Sequence, residues 1–464
     1  MFNAAVYQDR RNKLRSLLKS GLILFHGNYD SPMNYPGNTY RFRQDSSFLY
    51  FFGLSLPGLA GVIDIETGKD IIFGDNIDID DIIWMGPQPS IKDLAEKVAV
   101  KETYAMSRLT EVVSGALKRK LPVHFLPPYR AENKLVLERL LNIPASSLKD
   151  KASSELIKAV VTLRSMKDDN EIAHLDEIMS VGYEMHTTAM KMAKNGTYER
   201  EIAGLIEGIA LSHGGAISFP VILSKHGETL HNHYHGNKLS KGDLMICDAG
   251  FESEMGYATD HTRTTPVGGK FSQQQKDIYQ IVLDANNIAT AAIKPGIFYR
   301  DVHMQAATII TEGLKSLGLM KGNVKDAVEA GAHAMFLPHG LGHMMGLDVH
   351  DMEDVGENFV GYDNTIKRSE QFGTAYIRLA RKLQPGFVLT VEPGIYFIPV
   401  LIDKWHEERI NASFINFDKV NEYRNFGGIR IEDDVLVTES GHRLLGKERI
   451  PVSIQDVEKM VCSK

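Results

Sequence analysis

Five residues far apart in the sequence have side chains suited to binding divalent cations. They are four carboxylates and one imidazole: Asp248, Asp260, His343, Glu392 and Glu432. Each lies in a short stretch with the pattern of a strand or a strand end, close to glycines. This donor set suits two hard-to-borderline divalent ions that share bridging oxygens. Four carboxylates also balance the charge of two such ions and leave a bridging hydroxide, so the set indicates a dinuclear metal centre.

The spacing of the carboxylates indicates how strands would present them. Asp260 follows Asp248 by twelve positions, and a hairpin of that length brings two carboxylates to one end of a sheet. Arg430 and Glu432 are two residues apart, so their side chains share one face of a strand. Taken singly, the aspartates fit an ordinary turn and the arginine and glutamate fit a salt bridge. The metal-site hypothesis therefore depends on the whole set.

Histidines accompany the carboxylates in two segments. His339 and His343 are four residues apart, but Gly340 stands where a zincin helix has glutamate. The glycines of PHGLGHMMG instead predict an irregular, closely packed loop, with His350 shortly after it. A second cluster, HGETLHNHYH, contains His231 and is typical of an exposed loop from which one histidine reaches the site.

The composition is that of a globular protein with at least two domains, since 464 residues exceed one ordinary core. A net charge of -7 and a pI near 6.2 give no basic surface, so we expect no nucleic-acid partner. No apolar run approaches the roughly 20 residues of a membrane span, and the charged N-terminal stretch is unlike a signal peptide. Two distant cysteines exclude a disulfide framework. We therefore expect no membrane association and a cytoplasmic location.

Two groups of elements would position these residues. Residues 1–152 contain strand-like stretches, including LILFHG, SSFLYFFGL and the hairpin LAGVIDIETGKDIIFG, and helix-like stretches. They predict an α/β domain without a catalytic cluster. After a boundary at 152/153, residues 153–196 predict one long helix ended by Gly196. From there the order of two helices and then strands occurs twice, which predicts a duplicated half with the site between the halves.

The motifs together resemble those of one family: the dinuclear metallopeptidases of the pita-bread fold, in the Xaa-Pro group that contains prolidase and aminopeptidase P. The matching segments are DAG…ATDHTRT, PHGLGHMMGLDVHD, LTVEPGIYF and GGIRIEDDV, with RFRQDSSFLYFFG and VIDIETGK in the N-terminal part. The resemblance implies an α+β protein. A pita-bread (creatinase/aminopeptidase-like) catalytic domain would span residues 153–464, after an aminopeptidase P-like α/β domain over residues 1–152.

The resemblance also implies the metal ligands. Asp248 would hold one metal, Asp260 and Glu432 would bridge both, and His343 and Glu392 would complete the other. A bridging water with a lowered pKa would attack the substrate, and Glu392 would carry its proton to the leaving proline nitrogen. The carboxylate-rich set suits two Mn2+ ions, with Zn2+, Co2+ or Fe2+ as alternatives.

Further residues match the family's substrate side. The resemblance implies that His231 and His350 position the scissile carbonyl and stabilise the oxyanion. His339 and Arg430 match positions close to the metals, where they would orient ligands and balance charge. Arg378, in IRLARKLQPG, matches the arginine by which prolidases bind a dipeptide carboxylate; the alternative is one of several surface cations.

The expected function is a metal-dependent exopeptidase that cleaves the bond before proline at position two of a small peptide. The forty-residue interval before Glu432 and the presence of Arg378 favour a dipeptidase. The short interval between His231 and Asp248 is more typical of aminopeptidase P, which acts on longer peptides and is the alternative. The loop after Asp248 is one residue longer than the family's usual spacing, and a β-bulge would absorb the extra residue.

Three other interpretations fit the sequence less well. A pita-bread binding module without catalysis and a creatinase-like amidinohydrolase both conflict with the complete ligand set. A methionine aminopeptidase conflicts with the large N-terminal domain and the long interval before Glu432. From the resemblance we also expect a homodimer.

Overall fold

The computed structural model describes residues 1–463, and the chain divides into two compact units. The first unit consists of Met1–Ser165 together with the short segment Met352–Phe359. The second consists of Met166–Asp351 and the chain from Val360 onward. Every residue of the predicted site lies in the second unit.

The first unit is built on a five-stranded mixed sheet in the order β6-β5-β4-β1-β7. The central strands β1, β4 and β5 pair antiparallel, whereas β6 and β7 join in parallel. The strands, including a separate exposed hairpin of β2 and β3, are β1 (Leu22–His26), β2 (Pro32–Tyr35), β3 (Asn38–Thr39), β4 (Ala60–Asp64), β5 (Lys69–Phe73), β6 (Glu102–Tyr104) and β7 (Val123–His124). The α/β character predicted for this part of the chain is thus present.

The helices of this unit include one that the sequence pattern did not predict. They are α1 (Ala4–Leu17), α2 (Ser46–Phe52), α3 (Ile79–Met85), α4 (Ile91–Glu96), α5 (Leu109–Lys118), α6 (Ala131–Leu141), α7 (Leu148–Lys151) and α8 (Ser154–Ser165). The stretch SSFLYFFGL, predicted as a strand, forms α2. Asp45 caps this helix by accepting from the amide of Phe48 at 2.8 Å, and Gly53 ends it in the left-handed conformation.

The long helix predicted over residues 153–196 is two helices, α8 and α9 (Asp169–Met192). Asp168 begins the second one, because its side chain accepts from the amides of Asn170 and Glu171. The division between the units falls in this break, after Ser165, rather than at 152/153. Helix α8 groups with the first unit because Arg164 donates to the Ser47 hydroxyl at 3.0 Å.

The second unit contains the twofold order of helices and strands that the sequence predicted. Its helices are α9, α10 (Glu199–Ser212), α11 (Gln273–Ala292), α12 (Tyr299–Ser316), α13 (Val324–Glu329), α15 (Pro399–Glu407), α16 (Phe417–Asn421) and α17 (Ile454–Cys462). A short helix, α14 (Glu357–Val360), begins in the segment that belongs to the first unit and ends at the residue where the chain returns to the second. The pairs α9–α10 and α11–α12 each precede a group of strands. None of the helices within residues 1–463 is long and apolar enough to cross a membrane.

The strands of the second unit form two three-stranded sheets, β12-β10-β9 and β13-β16-β17, and two smaller pairs, β11-β8 and β14-β15. Their bounds are β8 (Ala216–Ile217), β9 (Ile222–Ser224), β10 (Leu244–Ala249), β11 (Phe251–Glu252), β12 (His261–Pro266), β13 (Val388–Val391), β14 (Gly394–Tyr396), β15 (Gly428–Arg430), β16 (Asp433–Val437) and β17 (His442–Leu444). Strands β10, β12, β13, β15 and β16 are buried along their whole length. A bridge between Thr262 and Glu432 joins the two strand groups.

Candidate metal centre

The first strand group presents Asp248 and Asp260 as the hairpin spacing predicted. Asp248 lies in β10 opposite Thr262 of β12, in an antiparallel register, and Asp260 directly precedes β12. Both aspartates are buried, with 8% and 4% of their surface exposed. The backbone of Asp260 is held by Asp434, whose Oδ2 accepts from its amide at 3.0 Å.

The second strand group presents Glu392 and Glu432 at matching breaks in two strands. Glu392 lies between β13 and β14, and Glu432 lies between β15 and β16. The paired strands are in register on both sides of the break, with Val391 opposite Asp433 and Gly394 opposite Arg430. Two carboxylates on neighbouring strands are thereby held outside the regular ladder. The Glu432 amide donates to the Thr262 carbonyl at 3.1 Å, which connects this break to β12.

His343 enters the site on the irregular glycine-rich loop that the sequence predicted. Its amide donates to the Thr390 hydroxyl at 3.1 Å, and its carbonyl accepts from the Thr390 amide at 3.0 Å. Gly342 permits this approach, since a Cβ there would lie 2.0 Å from the Thr390 carbonyl oxygen. Nδ1 of His343 donates to the Met344 carbonyl at 3.0 Å. That tautomer puts the lone pair on Nε2, the nitrogen that would bind a cation.

The structure brings three of the predicted ligands into one tight group. The donor atoms of Asp260, His343 and Glu432 all lie within 4.8 Å of one another. His343 Nε2 is 3.3 Å from Asp260 Oδ2 and 3.7 Å from Glu392 Oε1, which places Glu392 beside the group. Asp248 lies next to this group, and its Oδ2 accepts a hydrogen bond from Arg430 Nη2 at 2.7 Å.

The electrostatics of this cluster favour bound cations. Burial raises the pKa of Asp260 well above its usual value, and the neighbouring Asp248 charge raises it further. Burial and the neighbouring carboxylates also raise the pKa of Glu432 well above its usual value. The same two causes raise the pKa of Glu392 to about 7. Buried Oδ1 atoms of Asp248 and Asp260 have no hydrogen-bond partner in the described part of the chain. Crowded buried carboxylates beside an imidazole nitrogen fit divalent ions.

Arg430 organises one side of the cluster. Besides Asp248, it donates to the Thr262 hydroxyl at 3.1 Å and to the Tyr396 hydroxyl at 2.8 Å. Tyr396 in turn lies 2.9 Å from Nε2 of His339, whose Nδ1 is 2.7 Å from the Gly340 carbonyl. Burial lowers the pKa of His339 to about 3, and the Arg430 charge contributes. His339 is therefore neutral, with Nδ1–H donating and Nε2 accepting.

The predicted substrate-side residues lie around the accessible edge of the cluster. The rings of His350 and His343 are 4.3 Å apart, and Arg378 Nη1 lies 2.6 Å from His350 Nε2. His231 is exposed on the loop between β9 and β10. Partial burial lowers the pKa of His231, and the nearby Arg430 charge adds to the shift. The roles predicted for His231, His350 and Arg378 stay predictions.

Sequence reasoning did not identify two residues that hydrogen-bond to members of the predicted site. Thr262 donates from its hydroxyl to Glu432 Oε2 at 2.7 Å, and Tyr396 links His339 to Arg430. Both belong to the motifs quoted above, ATDHTRT and LTVEPGIYF. Thr262 lies two residues after Asp260, and residues two apart face the same side of a strand, so this spacing was the available signal. Tyr396 lies four residues after Glu392 and beyond a strand break, so no such signal marks it.

Comparison with known families gives two matches that together cover most of the chain. Residues 173–439 match the metallopeptidase family M24, and residues 7–124 match the aminopeptidase P N-terminal domain. Among curated proteins, the chain is 32% identical to the Xaa-Pro dipeptidase of Homo sapiens, over 97% of this chain and 90% of that protein. It is also 32% identical to a probable Xaa-Pro aminopeptidase of Fusarium vanettenii, over 90% of this chain and 87% of that one.

The solved structures give the same architecture. Zinc-substituted aminopeptidase P of E. coli, in complex with product, superposes with a TM-score of 0.81 at 28% identity. The match covers 99% of this chain and 98% of that one. The expected α+β organisation, with a pita-bread domain after an aminopeptidase P-like N-terminal domain, is confirmed.

Proposed function

The chain belongs to metallopeptidase family M24, and from this membership we propose that it is an exopeptidase that hydrolyses Xaa-Pro dipeptides. The observation that carries the proposal is the convergence of Asp260, His343 and Glu432, with Glu392 beside them. A binding module would not need such a costly cluster of buried carboxylates. The dipeptidases among the relatives support the choice of substrate.

We propose that Asp248, Asp260, His343, Glu392 and Glu432 hold two divalent ions. Oxygen-rich donors with one imidazole favour Mn2+, with Zn2+, Co2+ or Fe2+ as alternatives for the same ligands. When bound, such ions polarise the scissile carbonyl and make a water molecule more acidic. Arg430 offsets part of the carboxylate charge and fixes one oxygen of Asp248.

Glu392 is the proposed proton carrier. Its side chain is 19% exposed, against 6% for Asp260 and for His343, so it is the more accessible carboxylate to a substrate. As the water oxygen bonds to the carbonyl carbon, Glu392 accepts the proton that the water loses. It then delivers that proton to the proline nitrogen as the carbon–nitrogen bond breaks. His339 Nδ1 lies 3.9 Å from Glu392 Oε2, so a neutral imidazole borders this carboxylate.

We propose that His231 and His350 bind the substrate carbonyl. Both lie on the accessible side of the cluster, and imidazole N–H groups there would donate to the oxygen that becomes negative in the transition state. We propose that Arg378, which contacts the His350 ring, binds the C-terminal carboxylate of a dipeptide, because a planar guanidinium matches the two oxygens of a carboxylate.

The second candidate is aminopeptidase activity on longer Xaa-Pro peptides. It is favoured by the superposition on aminopeptidase P over nearly the full chain and by the relatives named probable Xaa-Pro aminopeptidase. In a longer peptide the carboxylate lies beyond the proline residue, so a clamp at Arg378 would exclude such substrates. The two candidates therefore differ in what Arg378 does.

Hydrolysis of Ala-Pro and Ala-Pro-Ala by the Mn2+-loaded protein would separate them. For a dipeptidase, Ala-Pro is cleaved faster, and Arg378→Ala lowers kcat/KM for it by about 10- to 200-fold, the loss of one buried, charged hydrogen-bond contact. Lys382→Ala is the matched control, since this exposed cation lies four residues away. Preference for the tripeptide, with Arg378→Ala unchanged, would establish the aminopeptidase and reject the clamp.

We propose in addition a cytoplasmic homodimer. Both cysteines, Cys247 and Cys462, are free, which suits a reducing compartment. Helix α3 of the first unit has no buried residue, and its Trp84 is 86% exposed. An apolar helix of this kind is stabilised when a second copy covers it. Sedimentation velocity should give a dimer that Trp84→Ser weakens; a monomer at all concentrations would reject the proposal.

A further inference from the structure

Asn286 of helix α11 contacts both strands that carry Glu392 and Glu432. Its buried Nδ2 donates to the Val391 carbonyl at 2.9 Å and to the Ile431 carbonyl at 3.3 Å. Val391 and Ile431 are the residues immediately before the two glutamates. A single amide group thus connects corresponding positions on the two strands.

The contact lies where the ladder between these strands is interrupted. Regular pairing stops at Val391 and resumes at Gly394, and the break between them is crossed by one long backbone hydrogen bond, from the Ile431 amide to the Pro393 carbonyl at 3.3 Å. A side chain that donates to both strands therefore fixes the separation of the carboxylates that follow it. The first half has a similar contact, because His186 of α9 lies 2.9 Å from the carbonyl of Ala249, the neighbour of Asp248.

The side chain of Asn286 is itself held by a hydrogen bond from Arg449. Its Oδ1 accepts from Arg449 Nη2 at 2.7 Å, and the same nitrogen donates to Asp433 Oδ2 at 2.7 Å. Asp433 directly follows Glu432 and is also bound by Arg263 at 2.6 Å. The orientation of the Asn286 amide is fixed by this arrangement, since its oxygen faces the arginine and its nitrogen faces the two carbonyls.

We propose that Asn286 is a positioning residue of the metal centre. It holds the breaks that carry Glu392 and Glu432 at the separation that two shared cations require. The inference rests on the proposed function, because it assumes that the glutamates bind metal. Replacing a residue that orients the metal ligands without binding the metal itself typically lowers metal affinity by about 10- to 100-fold.

The test is metal binding by the metal-free protein, measured by equilibrium dialysis with Mn2+ and by the visible absorption of bound Co2+. Asn286→Leu keeps the size of the side chain and removes both donors. Asn286→Asp keeps the acceptor for Arg449 but places an oxygen against the two carbonyls. The matched control is Asn287→Leu, because Asn287 also accepts from Arg449, at 2.9 Å, but is exposed and lies next to Asn286 in the sequence.

We expect both Asn286 variants to bind Mn2+ at least tenfold more weakly than the wild type, with an altered Co2+ spectrum. Their activity should return as the metal concentration is raised, with KM for the peptide unchanged. Asn287→Leu should stay within twofold of the wild type. If folded Asn286 variants bind Mn2+ as tightly as the wild type, the inference is wrong and the proposed function stands. If the wild type itself binds no divalent ion, the proposed function fails as well.

Discussion

Removing the charge of Lys167 should destabilise the second unit strongly. Lys167 Nζ lies 2.7 Å from Asp351 Oδ2, and each side chain is only 1% exposed. Lys167→Met preserves the length of the side chain but leaves the Asp351 carboxylate buried without this partner. The cost of removing the Asp351 charge from water is then no longer offset by its ion pair with Lys167.

The expected loss is about 3 to 5 kcal/mol, the usual cost of breaking a buried pair on one side. For units of a few hundred residues, each kcal/mol lowers the melting temperature by about 2 to 4 °C, so the shift is about 6 to 20 °C. A double variant, Lys167→Met with Asp351→Asn, should recover part of the loss because no unbalanced charge remains. The recovery measures the coupling between the two residues.

Urea unfolding followed by circular dichroism would measure these differences. The matched control is Lys404→Met, which breaks an ion pair of similar length, 2.6 Å to Glu408, between side chains 58% and 53% exposed. Because water screens that pair, its loss should cost no more than about 1 kcal/mol. A loss below about 1 kcal/mol for Lys167→Met as well would refute the reasoning that burial determines the strength of this pair.

Two further outcomes can be measured. Burial lowers the pKa of His303 to about 3 and that of His333 to about 4, below the usual 6.5, so the unfolded chain takes up protons first. The free energy of unfolding should therefore be highest above pH 6.5 and fall at lower pH by up to about 1.4 kcal/mol per pH unit for each ring. In urea unfolding measured from pH 7.5 to 5, His303→Leu should reduce this slope. An unchanged slope would contradict the low pKa of His303. Asp260→Ala should lose bound metal, measured by atomic absorption, and activity together; an active, metal-free variant would reject the metal centre.

The sequence alone identified the residues around the site better than the elements that hold them. The five ligand positions occur in short motifs, and the structure brings Asp260, His343 and Glu432 together with Glu392 beside them. The motifs also pack on one another, as Gly342 of one does against Thr390 of another. The additional residue in the loop after Asp248 did not disturb the pairing of β10 with β12.

The errors arose where distant contacts or end residues outweigh local pattern. The aromatic run of α2 has high strand propensity, but Asp45 and Gly53 cap it as a helix. The break between α8 and α9 depends on the cap at Asp168, which an amphipathic pattern over residues 153–196 conceals. Asn286 contacts carbonyls 105 and 145 positions away, and no local pattern distinguishes it from its neighbour Asn287.

The distribution of the ligands along the chain also affects how the protein is made. Glu432 is synthesised 184 positions after Asp248, which at about 5 to 20 residues per second is a delay of about 10 to 40 seconds. During that interval the growing chain has Asp248 and Asp260 but lacks the strand that connects to Thr262 through Glu432. On the proposed ligand set, metal acquisition would therefore follow synthesis of both halves, and a chain released before Glu432 would lack one of the proposed ligands.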